Sequence, residues 1–92
     1  MEVEILEKEK DSRLLGITGE DHTLANLLRI KLNEEKDVAA SYTMEHPLLG
    51  KIKFYVRSEE RNPEKAIIEA CNKIVKEIEE FRNSFEKALK KK

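Results

Sequence analysis

Hydrophobic positions in this chain switch repeatedly between a period of two and a helical period. Val3 and Ile5 alternate with acidic residues at the start of a run that reaches Lys10, and after Asp11-Ser12 comes Leu14-Leu15-Gly16-Ile17-Thr18-Gly19. Two such runs around a short polar break predict a hairpin of two strands. Leu24, Leu27, Leu28 and Leu32 then recur at helical spacing, with Ile30 widening the stripe. Asp21 and Thr23 are both candidate caps, because their side-chain oxygens can accept from free N–H groups of a first helical turn. A helix over residues 23–36 is expected.

From Val38 the period returns to two: Val38, Ala40, Tyr42 and Met44 point one way, and Ile52, Phe54 and Val56 share one face of the next run. His46-Pro47-Leu48-Leu49-Gly50 joins these two strands, since Pro47 cannot donate to a sheet ladder and Gly50 tolerates turn dihedrals. Asn62-Pro63-Glu64 is a strong helix start: Asn caps, Pro sits where its missing N–H costs nothing, and Glu64 meets the positive end of the helix. No Gly or Pro interrupts the chain from Glu64 onward, and Lys90-Lys91-Lys92 place positive charge at the negative helix end. The predicted fold is α+β, with two antiparallel hairpins forming one four-stranded sheet and two helices in the order β-β-α-β-β-α. No linker, repeat or low-complexity tract divides residues 1–92, which are read as a single domain.

The last helix carries a second pattern. Ile67, Cys71, Ile74, Ile78, Phe81, Phe85 and Ala88 recur at spacings of four and three, the seam by which one helix packs along another, and Ile68, Val75 and Leu89 broaden it. At about 1.5 Å per residue, a helix over residues 63–91 is roughly 43 Å long. A compact domain of this size is only about 30 Å across. The helix is therefore expected to overhang its sheet and carry Phe81, Phe85 and Leu89 with it, and exposed apolar groups of this kind mark protein–protein contacts. The alternative is a helix that frays after about Phe81 and leaves a solvated tail.

Composition narrows the partner class. With 18 basic and 19 acidic residues the chain is nearly neutral, which disfavours a domain held chiefly to phosphates. Charged residues make up 40% of the sequence, Lys and Glu dominate, and Gln is absent, a bias that fits either a thermophile's ion-pair networks or a long solvated helix. A chain of 92 residues buries only about two-thirds of its unfolded surface, so its own core leaves a thin stability margin. No run approaches the roughly 20 apolar residues of a membrane span, and the acidic start Met1-Glu2-Val3-Glu4 is unlike a signal peptide. A cytoplasmic location, with no membrane partner, is the expectation.

Candidate chemistry is sparse. Cys71 is the single cysteine, so neither an intramolecular disulfide nor a thiolate metal cage can form. It lies on the apolar seam, where a buried thiol behaves as a small hydrophobe, and no paired histidine supports a nucleophile. His22 and His46 fall in different elements without a matching ligand spacing, and read as a helix-entry residue and a turn residue. Gly16 and Gly19 are too sparse to cradle a phosphate. Lys51, Lys53 and Arg57 beside Tyr55 form the most basic strand surface, so a stand-alone RNA-binding module is the alternative to a partner-binding one; a solvated polar sheet face accounts for the same residues.

The run Asp21-His22-Thr23-Leu24-Ala25-Asn26-Leu27-Leu28-Arg29 resembles the helix-entry motif of the small alpha-like subunits of archaeal and eukaryotic RNA polymerases. Val38-Ala39-Ala40-Ser41-Tyr42, His46-Pro47-Leu48, the strand holding Ile52 and Val56, and the final helix opened by Pro63 extend the resemblance along nearly the whole chain, most closely to the archaeal L subunits. That family is related to the dimerisation domain of the bacterial alpha subunit. The resemblance implies a non-catalytic, cofactor-free subunit that heterodimerises with a larger alpha-like subunit, called D in archaea, to form the assembly platform for the catalytic subunits. Magnesium and the phosphoryl-transfer groups would lie on those large subunits, and no sequence-specific nucleic acid contact is expected here.

Carried over residue by residue, His22, Thr23, Leu24, Asn26, Leu27, Leu28 and Arg29 would order and present the first helix, with the terminal seam beside it. The expected partner interface is His22, Leu24, Leu27, Leu28, Ile74, Ile78, Phe81, Phe85 and Leu89. Ala25 departs from the Gly common in eukaryotic relatives, and as the stronger helix former it should leave the helix intact.

Overall fold

In the computed structural model, which describes residues 1–19, 22–46 and 50–90, the alternating runs form strands β1 (Glu2–Lys8), β2 (Ser12–Thr18), β3 (Val38–His46) and β4 (Lys51–Ser58). They make one antiparallel sheet in the order β1-β2-β4-β3, so the two hairpins join through β2 and β4. The register sets Leu15 beside Phe54 and Ile17 beside Ile52 across that junction. Helices α1 (His22–Asn33) and α2 (Pro63–Lys90) complete the order β-β-α-β-β-α.

β4 shows why one sheet face is covered. Ile52, Phe54, Val56 and Ser58 are buried under the helices, while Lys51, Lys53, Tyr55 and Arg57 on the other face are exposed. Ala40, Tyr42 and Met44 on β3 flank the buried β4 residues, and Tyr42 stacks parallel to Phe54 with ring centroids 6.1 Å apart. Gly50, at φ 62°, enters β4 in the left-handed region that glycine adopts without strain.

Arg13 breaks the alternation on β2. It is only 4% exposed on the helix side, where its Nε donates to Glu64 at 2.7 Å and its Nη1 donates to the Ser12 carbonyl, also at 2.7 Å, and to the Glu9 carbonyl. A buried guanidinium is tolerated because its donors are matched by a carboxylate and two carbonyls. Glu64 lies in the first turn of α2, so this contact ties the hairpin β1–β2 to the base of that helix.

The first helix differs in detail from its expected bounds. It ends at Asn33, three residues short of Lys36, because the chain tightens into i→i+3 hydrogen bonds from Glu34 to the Lys31 carbonyl and from Glu35 to the Leu32 carbonyl. The Asn33 side chain then mimics a peptide group, donating to the Ala40 carbonyl and accepting from the Ala40 N–H, each at 2.9 Å, on the outer strand β3. Thr23 is the second helical residue rather than a cap, and Asp21 lies outside the described residues. Ala25 and Leu32 are the buried anchors of α1, whereas Ile30 faces solvent. Pro47, Leu48, Leu49, Lys91, Lys92 and the His46 side chain also lie outside what is described.

α2 starts as its sequence dictates: Asn62 Oδ1 accepts from the N–H groups of Glu64 at 2.8 Å and Lys65 at 3.3 Å, with Pro63 in the first helical position. Its buried residues are Pro63, Ala66, Ala70 and Ile74, and residues 75–90 are all exposed. Those 16 residues extend about 24 Å. The radius of gyration, 15.4 Å, accordingly exceeds the roughly 12 Å of a compact chain this size, and the longest dimension is 53 Å.

The seam does not pack on the sheet as a unit. Ala66 and Ala70, whose small side chains let α2 approach closely, form the inner contact line, while Ile67 is only partly buried and Cys71 is exposed. The large seam residues are displaced to one flank of that line.

Candidate partner-binding surface

That displaced flank opens onto a groove of about 400 Å³ between the two helices and the β1–β2 side of the sheet. β2 and β4 supply Leu15, Ile17 and Ile52, and α1 supplies Leu24, Ala25 and Leu28. α2 supplies Ile67, Cys71, Ile74, Val75 and Ile78, β1 adds Val3, and Met1 joins from just before β1. All are apolar apart from the Cys71 thiol, whose pKa is raised by partial burial. With no third helix over it among the described residues, the groove leaves Val3, Leu24, Val75 and Ile78 exposed.

Ile78 links the groove to the overhang. Beyond it Phe81, Phe85 and Leu89 are 71%, 57% and 55% exposed, and the Phe81 and Phe85 rings lie side by side with centroids 6.2 Å apart. Groove and ridge form a continuous apolar strip along α2, of the kind that marks an interaction site rather than the scattered apolar exposure of any protein surface.

Of the residues expected at an interface, Leu24, Leu28, Ile74 and Ile78 line the groove, and Phe81, Phe85 and Leu89 lie on the overhang. His22 is exposed at the start of α1, its Nδ1 and its carbonyl 3.5 and 3.4 Å from the Tyr42 hydroxyl. Leu27 is half-buried and is not among the residues lining the groove. Asn26 and Arg29 pair within α1, with Arg29 Nη2 donating to Asn26 Oδ1 at 2.7 Å. Met1, Val3 and Ile17 are outside the expected interface, because their place depends on how the first hairpin joins the second through β2 and β4 and on which face the helices cover, neither of which alternation specifies.

The opposite flank of α2 is charged. Arg61 donates to both Asp37 oxygens, at 3.1 and 3.0 Å, and to Glu69 at 2.7 Å. Lys73 pairs with Glu35, and Lys31 with Glu77. The hydrogen bond from Lys73 holds the Glu35 carboxyl below its ordinary pKa, that from Arg61 does the same for Asp37, and Glu77 raises Lys31.

On the outer sheet face Lys53 pairs with Glu45 at 2.9 Å and Arg57 with Glu59 at 2.9 Å, so the basic strand surface is substantially neutralised. Among the described residues no group of three or more His, Cys, Asp and Glu side chains is arranged to hold a metal ion, and no helix is long and apolar enough to cross a membrane.

A sheet layered on one side by two helices, one of them running on uncovered beside an apolar groove, defines a small α+β domain with an uncovered helix face. Comparison with known proteins defines the class further. Residues 13–84 match the RNA polymerase Rpb3/Rpb11 dimerisation domain. The chain is 39% identical to the DNA-directed RNA polymerase subunit Rpo11 of Methanococcoides burtonii, over 97% of this chain and 99% of that one. It is 42% identical to Rpo11 of Pyrococcus abyssi, over 98% and 99% respectively. The crystal structure of DNA-directed RNA polymerase subunit L from Thermoplasma acidophilum superposes with a TM-score of 0.88 at 27% identity, covering 98% of this chain and 90% of that chain. The chain belongs to the Rpb3/Rpb11 dimerisation-domain family of RNA polymerase subunits, on its archaeal Rpo11, or subunit L, side.

Proposed function

We propose that this chain is the smaller partner of a heterodimer with the larger alpha-like polymerase subunit, D in archaea, and that the pair forms the cytoplasmic platform on which the catalytic subunits assemble. The carrying observation is the continuous strip from the groove through Ile78 to Phe81, Phe85 and Leu89. A partner helix laid along it would bury apolar surface that the chain cannot cover alone, each large side chain contributing roughly 1.5–3 kcal/mol. The chain's role in this reading is structural: it supplies shape and apolar area, and residues 1–92 act as one dimerisation domain. Expected contact residues are Leu24, Leu28, Ile74, Ile78, Phe81, Phe85 and Leu89, with His22 and Leu27 ordering the exposed side of α1.

The test is solution mass by light scattering, for the chain alone and mixed with the alpha-like subunit of the same cell. A one-to-one complex is the expected outcome. A chain whose mass ignores that subunit contradicts the proposal, and salt-sensitive RNA binding lost on changing Lys51, Lys53 and Arg57 to Ala would then favour the nucleic acid reading.

A further inference from the structure

The charged flank of α2 is more regular than solvated polarity requires. Glu69, Lys73 and Glu77 stand four residues apart on one side of the helix, with the buried line of Ala66 and Ala70 between them and the groove side. Each meets a fixed counter-charge. Glu69 takes Arg61, which is itself forked onto Asp37 in the turn before β3. Lys73 takes Glu35, which also lies 3.5 Å from Arg61. Glu77 takes Lys31, whose side chain is 11% exposed and whose ammonium is also 3.6 Å from Glu34. The signs alternate along α2, so a slide of α2 by one rung would set like charges against each other.

Position along the helix matters as much as charge. Ile74 is the last buried residue of α2, and Glu77 lies just beyond it, where the overhang leaves the body. Leu89 is 12 residues farther, about 18 Å, so a tilt of only about 10° at Glu77 would move the ridge tip by about 3 Å. That is enough to take side chains out of the holes they fill in a packed helix pair.

We propose that this charge zipper, and the Lys31–Glu77 rung in particular, is a positioning device that fixes the direction of the overhang and so presets the apolar strip for its partner. The proposal rests on the heterodimer reading for its consequence but not for its mechanics. Single ion pairs at the surface contribute little to stability, so the zipper acts chiefly on geometry and only slightly on melting. Lys31 and Glu77 are positioning residues, acting on the partner through the angle of α2.

The experiment compares the parent chain with Lys31→Glu and with the charge swap Lys31→Glu/Glu77→Lys. Spin labels at Ser41→Cys, on the outer sheet face, and Asn83→Cys, on the overhang, report the angle in a Cys71→Ser background by pulsed dipolar spectroscopy. Affinity for the alpha-like subunit is measured separately with Cys71 intact. The expected result is a narrow distance distribution that broadens or shifts in Lys31→Glu and returns in the swap. Affinity should fall about tenfold and recover in parallel, the signature of a coupled pair. Lys31→Gln, which removes the attraction without adding repulsion, should lie between, and guards against misfolding of the reversal. An unchanged distribution in Lys31→Glu overturns the proposal, as does a changed distribution with unchanged affinity. If the parent chain binds no alpha-like subunit, it is the heterodimer reading that fails, and the distance distributions still decide the mechanical role of the zipper.

Discussion

The two halves of α2 invert the usual relation between side-chain size and burial. Residues up to 74 pack on the sheet and α1 mainly through Pro63, Ala66, Ala70 and Ile74, of which two are alanines. The exposed half carries Phe81, Phe85 and Leu89, whose burial would be far more favourable. Small residues on the inside let the helix lie close, and large ones on the outside leave most of its apolar area unspent. A helix optimised only for its own domain would place the phenylalanines inward, so the distribution points to a second chain as the missing half of the core.

Four changes can break or sharpen this contrast. The largest effect is expected from Phe81→Ala/Phe85→Ala: at roughly 1.5–3 kcal/mol for each ring, affinity for the alpha-like subunit should fall by about 10²-fold or more in titration calorimetry. Urea unfolding of the isolated chain should stay within about 0.5 kcal/mol of the parent, because both rings are already in solvent. The inner half should behave oppositely. Ala70→Leu overfills a site only 5% exposed and should cost about 1–3 kcal/mol of the isolated chain's stability in the same urea titration.

Removing the helix cap comes next. Asn62→Ala leaves the N–H groups of Glu64 and Lys65 without their side-chain acceptor and should lower stability by about 1 kcal/mol. The smallest effect is acid sensitivity of the inner half. Glu64, Glu35 and Asp37 are held below their ordinary values of 4.5, 4.5 and 3.8 by hydrogen bonds from Arg13, Lys73 and Arg61. A lowered folded pKa makes the unfolded chain bind protons first, so the contribution is complete above about pH 4.5 and is lost as pH falls through the lowered values. Melting temperature should therefore decline below that pH, less steeply in a Glu64→Gln chain.

Much of the fold was legible because its signals are local. The alternation of Ile52, Phe54 and Val56 needs only a strand, and Asn62-Pro63 needs only a helix start. The overhang followed from arithmetic, since no sheet of this chain is as long as residues 63–90. What escaped depends on distant partners. Burial of Arg13 on β2 depends on Glu64, 51 positions away, and has no local signal. Alanine is apolar without indicating a side, so the seam pattern marks Ile67 and Cys71 although Ala66 and Ala70 make the inner contact. Groove residues Leu24, Leu28 and Ile78 carry a helical pattern, whereas the alternation of Val3 marks only a strand, and its place in the groove, like that of Met1, follows from the sheet order.

Hydrogen exchange along α2, with and without the alpha-like subunit, tests the central claim most directly. In the free chain, amides of residues 67–74 should be protected and those of residues 78–90 should exchange quickly, because little packing holds the outer half. Adding the subunit should slow exchange across residues 78–90 by orders of magnitude and change the outer sheet face little. Overhang exchange that stays fast while the two chains are bound would contradict the account.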